Sequence, residues 1–431
     1  MKTEQLYSIF KESKGVSTDS RTIKEGEMFF SLWGNNYNGN QYAAQALGKG
    51  AICAVIDDPL YEIDNRTILV DDCLIELQAL ATHYRKELNI PVLAITGTNG
   101  KTTTKELIAA AMSKIKKVHY SKGNLNNHIG VPLSILSAPS DTELMIIEMG
   151  ASHQGEIRTL CMISRPDYGI ITNIGTAHIE GFGSFENIVK AKTELYEYLR
   201  KVNGVAIYND HNPLISEQIY RMINKAVPYS APDGRELIVE PVSSSYNLVV
   251  RINHAGKERV VSTNLFGRHN TENILAAVAA SIFMGATIDE ASDAVQAYIP
   301  TNNRSQIKVT GKNVIFCDSY NANPDSMRKA IESFAEIESE NKIVILGDML
   351  ELGSRAQDEH LDILRLLNSL GMSKVMLVGP IFKSLAKDFG YKTFNDVDRL
   401  REYLILKPIE KAHILVKGSR GMMLEKVYDV L

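Results

Sequence analysis

The sequence predicts an α/β protein of three domains: a small α/β domain over residues 1–88, a central P-loop domain with a parallel sheet over 89–300, and a C-terminal Rossmann-like, doubly wound domain over 301–431. Three observations predict it. A chain of 431 residues has room for about three domains at ~150 residues each. The continuous apolar runs PVLAITG (91–97), LMIIEMG (144–150) and YGIITNIG (168–175) have the pattern of parallel strands buried on both faces. Beyond residue 300, strand-like runs and helical patterns alternate, as they do in a doubly wound sheet.

In the first domain MFFSLWG (28–34), AICAVID (51–57) and TILVDD (67–72) read as short buried strands. Apolar residues at Leu74, Leu77, Leu80 and Ala81 predict a helix over 72–88, which Asn89 and Pro91 end. In the second domain the run 91–97 leads into a helix, TTTKELIAAAMSKI (102–115). Between 227 and 265 the pattern changes to alternation, in NLVVRINH (247–254) and ERVVST (258–263), which predicts an antiparallel excursion at the sheet edge. A helix over 271–285 closes the domain, and IPTNNRSQ (299–306) reads as the linker. In the last domain NVIFCDSY (313–320), KIVILGDM (342–349), KVMLVGP (374–380) and HILVKGS (413–419) are the strands, with helices starting near Pro324, Asp358, Ile381 and Asp396. This domain carries no GxGxxG, so a dinucleotide site there loses its main support.

Composition narrows the function classes. Lys plus Arg total 47 against 51 Asp plus Glu, a net charge of -4, which argues against nucleic acid or an anionic membrane held by bulk charge. The longest apolar stretch, around 274–286, is shorter than the ~20 residues a membrane span needs. The N-terminus has no apolar core of signal-peptide type. Cys53, Cys73, Cys161 and Cys317 are widely spaced and form no CxxC, which fits a reducing cytoplasm. A cytoplasmic monomer is expected.

The chemistry starts at TGTNGKTTT (96–104), between a strand and a helix. Gly97 and Gly100 allow a tight turn, so that the backbone of Thr98, Asn99 and Thr103 and the following helix N-terminus can face a phosphate. Lys101 can reach the β- and γ-phosphates, and the Thr102 hydroxyl is placed for Mg²⁺. The spacing departs from GxxxxGK, because Ile95 stands where the first glycine would be. An ordinary strand-to-helix turn could contain GKT, but strand, loop and helix together favour nucleotide binding. In an open parallel sheet, ligands bind beyond the carboxyl ends of the strands. Two further strand ends would meet the loop there: one carries Glu148, an acid inside an apolar run, and the other leads to Thr176-Ala177-His178. A carboxylate and an imidazole beside a nucleotide suggest two metal positions. Lys190 and Lys192 read as solvated helix charges, and the residues alone give neither a role.

TGTNGKTTT, EMG, TNIGTAHIEGFGS followed by AKTELY, GRHNTEN and KGSRGM occur in the order and spacing of the Mur ligases, and the chain resembles that family over essentially its whole length. STDSR (17–21), DSYNANPDSM (318–327) and ILGDMLELG (345–353) most resemble the members that act last, on D-alanyl-D-alanine. The resemblance implies a cytoplasmic, ATP-dependent, amide-forming enzyme of peptidoglycan precursor synthesis, whose partners are UDP-N-acetylmuramoyl-tripeptide and D-Ala-D-Ala. Its catalytic set would be Lys101, Glu148, His178, Lys192 and Arg304. Lys101 and Thr102 would bind ATP phosphate and a first Mg²⁺ that Glu148 completes, and His178 would hold the second. Lys192 matches a lysine commonly carbamylated by CO₂ in the family, which would make it an anionic metal ligand. His269, Asn270 and Asn273 match the adenine side, while Arg304 and Asp318 match residues near the phosphates and ribose. Lys417, Ser419 and Arg420 match positions that engage the acyl phosphate or the incoming amine.

The resemblance also gives the first domain, through Ser17, Asp19, Ser20, Arg21 and the 34–40 loop, the UDP part of the substrate. Asn124, Asn126 and Asn127, in KGNLNNHIG (122–130), would lie along the muramyl peptide. Asn38-Gly39-Asn40 stands where many relatives have Asp-Gly-His, which changes the polar contacts of that loop. Other readings stay open at this point. A diamino-acid-adding Mur ligase is the nearest, although the Asp-Asn-Pro-Arg motif of diaminopimelate-specific members is missing. A folylpolyglutamate synthase is weakened by the first domain. A P-loop ATPase switch without ligase activity would leave His178, Lys192 and the first domain unexplained.

Overall fold

The computed structural model describes residues 3–34, 36–177, 179–244 and 246–431. In the first unit the strands Val16–Ser17, Met28–Phe30, Cys53–Ile56 and Thr67–Leu69 pair in that order, all parallel. The helix Cys73–Leu88 starts where the Asp72 side chain accepts from the Ile75 amide, and it stops at Asn89, whose φ of 44° breaks the right-handed path. This helix anchors the first unit to the second. Tyr84 donates its hydroxyl to the Ala138 carbonyl at 2.7 Å, and the buried Arg85 donates to the Ser164 carbonyl at 3.0 Å and to Asp167 at 3.1 Å.

The central sheet has the order Ala226–Pro228, Val205–Tyr208, Tyr168–Ile171, Val92–Thr96, Leu144–Glu148, Val118–Tyr120, and every pairing is parallel. The three strands singled out in the sequence are therefore neighbours, and their carboxyl ends open on one crevice. The alternating segment departs from expectation. Leu237–Ser244, Leu248–His254 and Lys257–Ser262 form an antiparallel sheet of their own and do not extend the parallel one. Val250, Ile252 and Val261 are buried in the same core as the helices Lys101–Met112 and Asn270–Phe283. An antiparallel sheet can keep one wet face, so it needs only a helical surface to pack on.

In the last unit the sheet order is Gln306–Val309, Val314–Asp318, His413–Lys417, Lys342–Gly347, Val375–Val378, Lys392–Phe394. Five strands are parallel, as expected of a doubly wound sheet, but Gln306–Val309, which starts at the linker's last residue, is an antiparallel edge strand. The helices Pro324–Ala335, Ala356–Ser369, Pro380–Leu385 and Val397–Leu406 start at or beside the residues the pattern named. Asn323 and Asp396 cap two of them, each through a side-chain oxygen. Among the described residues, no helix is long and apolar enough to cross a membrane.

Phe266, just before the helix Asn270–Phe283, belongs to the last unit's core. Its ring lies 4.7 Å from Phe316, which in turn lies 5.4 Å from Phe334. The Phe266 amide donates to the Ser305 carbonyl at 3.0 Å, so one residue fastens the start of that helix to the linker. Phe266→Ala should cost about 3–5 kcal/mol of stability. Denaturant unfolding followed by hydrogen exchange should show the last unit opening first.

Candidate active site

The phosphate loop is shaped by what it touches. Gly97 has φ 142° and Gly100 has φ 80°; a Cβ on Gly97 would sit 2.0 Å from the Thr172 hydroxyl, and one on Gly100 would sit 2.1 Å from Asn273 Oδ1. The neighbouring strand end grips the loop. The Asn99 amide donates to Asn173 Oδ1 at 2.9 Å, the Thr98 amide donates to the Asn173 carbonyl at 3.0 Å, and the Thr172 hydroxyl donates to the Asn99 carbonyl at 2.6 Å. This corrects one expectation: the Thr98 and Asn99 amides are committed to Asn173, and the donors facing the crevice are those of the helix's first turn, from Lys101 through Thr103. Lys101 folds back to donate to the Gly97 and Thr98 carbonyls at 2.6 and 3.0 Å. Burial lowers it to about 8, against the pull of Glu148 and with help from Arg304. The Thr102 hydroxyl is buried and has no hydrogen-bond partner, which suits an atom meant for a ligand.

Glu148 ends its strand almost wholly buried, at 1% exposure. Asn126 donates to Oε1 at 2.8 Å and Lys105 donates to Oε2 at 3.4 Å. Burial alone would raise its pKa, but Lys105, Arg304 and Lys101 outweigh that and hold it below the ordinary glutamate value. Lys105 is fully buried and was not anticipated; the signal was its i,i+4 spacing from Lys101 on one helix face. Lys105 also lies 4.0 Å from Glu106, which accepts from Asn302 at 3.3 Å and from the Tyr298 hydroxyl. A buried polar chain thus runs from the Glu148 strand end to the linker.

Lys192 overturns its reading as a solvated charge. The helix Phe185–Val202 turns it inward at 3% exposure, with Nζ 3.4 Å from the Ala151 carbonyl and 5.5 Å from the Phe182 ring, while Lys190 stays exposed. Burial, with Lys101 nearby, lowers Lys192 to about 7 against Glu156 and Glu194. His178 lies outside the described residues.

The linker and last unit form the facing wall of a cleft of ≈ 590 Å³. Burial lowers His269 to about 4, so it is neutral; it contacts the Ser305 hydroxyl at 3.3 Å, and its Nδ1 has no partner. Asn273 donates to Asn270 at 2.8 Å, and Asn270 donates to the Phe266 carbonyl at 2.7 Å. The Arg304 guanidinium lies 3.6 Å from the Tyr320 ring centroid, and its buried Nε is unpartnered. Asp318 and Lys417, expected to act on different ligands, are bonded to each other at 2.5 Å across adjacent strand ends. Ser419 accepts from the Leu350 amide at 2.9 Å. Asn323, which the sequence reading left without a role, donates to Asn99 Oδ1 at 2.8 Å and bridges the last unit to the phosphate loop.

Asn124, Asn126 and Asn127 line the same cleft. Asn127 Oδ1 also accepts from the Ile129 and Gly130 amides, at 3.1 and 2.8 Å, just ahead of the helix Gly130–Leu136. The residues expected at UDP do not reach this cleft. Arg21 grips Asp19 at 2.8 Å and holds its carboxyl at about 2, Ser17 accepts from the Asp19 amide at 3.2 Å, and Ser20 donates to Gln45 at 2.8 Å. Asn38-Gly39-Asn40 works as a fastener: Asn40, fully buried, donates to Asn38 and Asp57 at 2.8 Å each and accepts from the Asp57 amide at 3.0 Å.

Residues 95–281 match the family model of the Mur ligase middle domain, and residues 303–420 match that of the Mur ligase, glutamate ligase domain. The UDP-N-acetylmuramoyl-tripeptide–D-alanyl-D-alanine ligase of Bacillus subtilis is 34% identical over 427 residues, 96% of this chain and 92% of the relative. The chain belongs to the Mur ligase family. The enzyme of that name from Escherichia coli is 33% identical over 424 residues, 96% of this chain and 93% of its own. The crystal structure of MurF from Acinetobacter baumannii superposes with a TM-score of 0.86 at 27% identity, covering 99% of this chain and 97% of that one.

In this Mur ligase the conformation of Gly100 is decisive. Gly100→Ala should cost about 2 kcal/mol or more, because a left-handed alanine is strained and its Cβ would strike Asn273. The expected result is a lowered melting temperature and loss of calorimetrically measured ADP binding.

Proposed function

We propose that this Mur ligase joins D-Ala-D-Ala to UDP-N-acetylmuramoyl-tripeptide through an acyl phosphate, at the expense of ATP, as a cytoplasmic monomer. The observation that carries the reading is the cleft itself. It brings a phosphate loop, a buried ionised carboxylate and a buried lysine against a wall from the last unit, in a chain similar over nearly its whole length to ligases of that name.

A carboxylate is a poor acyl donor because amines do not displace oxide. Transfer of the γ-phosphoryl group to the tripeptide's terminal carboxylate forms a P–O bond and releases ADP. The amine of D-Ala-D-Ala then attacks the carbonyl, and the tetrahedral intermediate collapses to an amide with loss of phosphate and a proton. Lys101 is poised to exchange its two loop carbonyls for phosphate oxygens. The helix's first turn supplies N–H donors to the same group. His269, Asn270, Asn273 and Arg304 all line the cleft, and in this reading the neutral His269, Asn270 and Asn273 would take the base side and Arg304 the phosphates.

The residues present fit Mg²⁺. Thr102 offers an unpartnered buried hydroxyl and Glu148 an ionised carboxylate, while among the described residues no three His, Cys, Asp or Glu side chains converge. A site of that kind suits an ion that keeps waters and phosphate oxygens as its other ligands. When bound, Mg²⁺ would neutralise charge on the transferring oxygens, with His178 and a carbamylated Lys192 serving a second ion. At a pKa of about 7, a substantial part of Lys192 is the free amine that can add CO₂ and release a proton. Acyl phosphates hydrolyse, so water must be kept out. Closure about residues 299–306 would do this, and the Asn323–Asn99 bond is the contact that favours it.

The test is ADP release with UDP-N-acetylmuramoyl-tripeptide while D-Ala-D-Ala, diaminopimelate, lysine or glutamate is offered in turn. Turnover only with D-Ala-D-Ala is expected. Turnover with another amine, or without any, would overturn the assignment. Lys192→Ala should lose most activity and regain part of it with added short carboxylates; an unimpaired variant would remove the lysine from the site.

A further inference from the structure

We propose that Glu106 is a positioning residue for phosphoryl transfer: through Tyr298 and Asn302 it fixes the stretch of linker that presents Arg304 to the cleft; this rests on the functional reading above. Glu106 lies on the helix Lys101–Met112, behind the phosphate loop, and is not among the residues that line the cleft. It reaches onto the linker, where it accepts from the Tyr298 hydroxyl and, with both carboxylate oxygens, from Asn302 Nδ2 at 3.3 Å. Its effect on the reaction must therefore pass through another residue.

Arg304 owes its place to the backbone that carries it. Its guanidinium stacks on the Tyr320 ring at 3.6 Å, and its buried Nε has no partner. The backbone is left-handed on both sides of it, with φ 55° at Asn303 and φ 49° at Ser305. Residues other than glycine keep such values only where their surroundings impose them. On the last unit's side this arc is well held. The Tyr320 amide donates to the Asn303 carbonyl at 3.2 Å, and the Ser305 amide donates to Asp318 Oδ1 at 3.0 Å.

On the central unit's side the arc is held through Glu106, and the geometry makes that hold specific. Tyr298 ends the helix Ile288–Ala297, and its carbonyl accepts from Asn264 Nδ2 at 3.1 Å, so its hydroxyl reaches Glu106 from a fixed point. Asn302 has a buried Oδ1 with no partner, so the bond it donates to Glu106 is what orients its amide. The helix that carries Glu106 also carries Lys101. Glu106 thus places Arg304 in the same frame as Lys101, and the two cations that would meet the phosphate oxygens keep their spacing through one helix. Without the tie the left-handed arc can relax, and a displacement of about 1 Å at a reacting charge can cost about 100-fold in rate.

The experiment traps the acyl phosphate with hydroxylamine, using ATP and the UDP-tripeptide without dipeptide, in wild type, Glu106→Ala, Glu106→Gln, Arg304→Ala and the double variant Glu106→Ala/Arg304→Ala. Glu106→Ala should slow hydroxamate formation by about 10- to 100-fold while KM for the UDP-tripeptide holds. Glu106→Gln should recover most of that rate, because its amide can accept from Tyr298 and donate to the unpartnered Asn302 Oδ1. In the Arg304→Ala background, Glu106→Ala should cost no further rate, since its route to the reaction is already gone. Tyr298→Phe/Asn302→Ala removes the same bonds from the linker side and should reproduce Glu106→Ala; it replaces that variant if Glu106→Ala does not fold. An unchanged rate on removing these bonds, a Glu106→Gln as slow as Glu106→Ala, or losses that multiply in the double variant would overturn the proposal. A wild type that forms no hydroxamate would instead remove the functional reading, and this proposal with it.

Discussion

The cleft depends on keeping one carboxylate charged out of water. Glu148 is 1% exposed at the end of a strand whose other residues are Leu144, Met145, Ile146 and Ile147. Left alone there, it would take up a proton, and a neutral acid offers little to a divalent ion. Three cations from two segments prevent this: Lys105 and Lys101 from the helix behind the phosphate loop, and Arg304 from the linker. Losing the partner of a buried charge costs about 3–5 kcal/mol, enough to make the arrangement of those segments matter to stability as well as to chemistry.

From that constraint much of the architecture follows. The Lys101–Met112 helix must pack so that Lys105 points at Glu148, which requires the two strands Val92–Thr96 and Leu144–Glu148 to be neighbours. The third strand end then holds the phosphate loop through Thr172 and Asn173. The linker must run past Glu106, whose carboxylate accepts from Asn302 and Tyr298, and so it brings Arg304 into the cleft. The last unit is set by Phe266 on one side and by the Asn323–Asn99 bond on the other.

What the sequence made legible was whatever local pattern carries. Continuous apolar runs marked the buried parallel strands, and the residues at their ends, Gly97 to Thr103 and Glu148, were visible as departures from those runs, whereas Asp318 was singled out only by the family resemblance. Pairing was not legible. Nothing in NLVVRINH says which surface it packs on, so its sheet was assigned to the wrong neighbour. The antiparallel edge strand 306–309 was hidden because it starts at the last residue of the expected linker and its four residues, QIKV, are too few for an alternation to stand out. Side-chain direction was the other gap. Lys105 and Lys192 look like ordinary helix charges until packing turns them inward, and Thr172 and Asn173 look like a strand's end until the loop rests on them. Asp318 and Lys417 lie 99 residues apart and become a pair only through strand register.

The most direct measurement of the central claim is the ionisation of Glu148 itself. An infrared difference spectrum of isotope-labelled wild type minus Glu148→Gln reads that one group across pH. A carboxylate band at pH 7 that persists down through the ordinary glutamate range, and retreats to higher pH when Lys105 is replaced by methionine, is the predicted result. A protonated carbonyl band at pH 7 in the wild-type protein would contradict it.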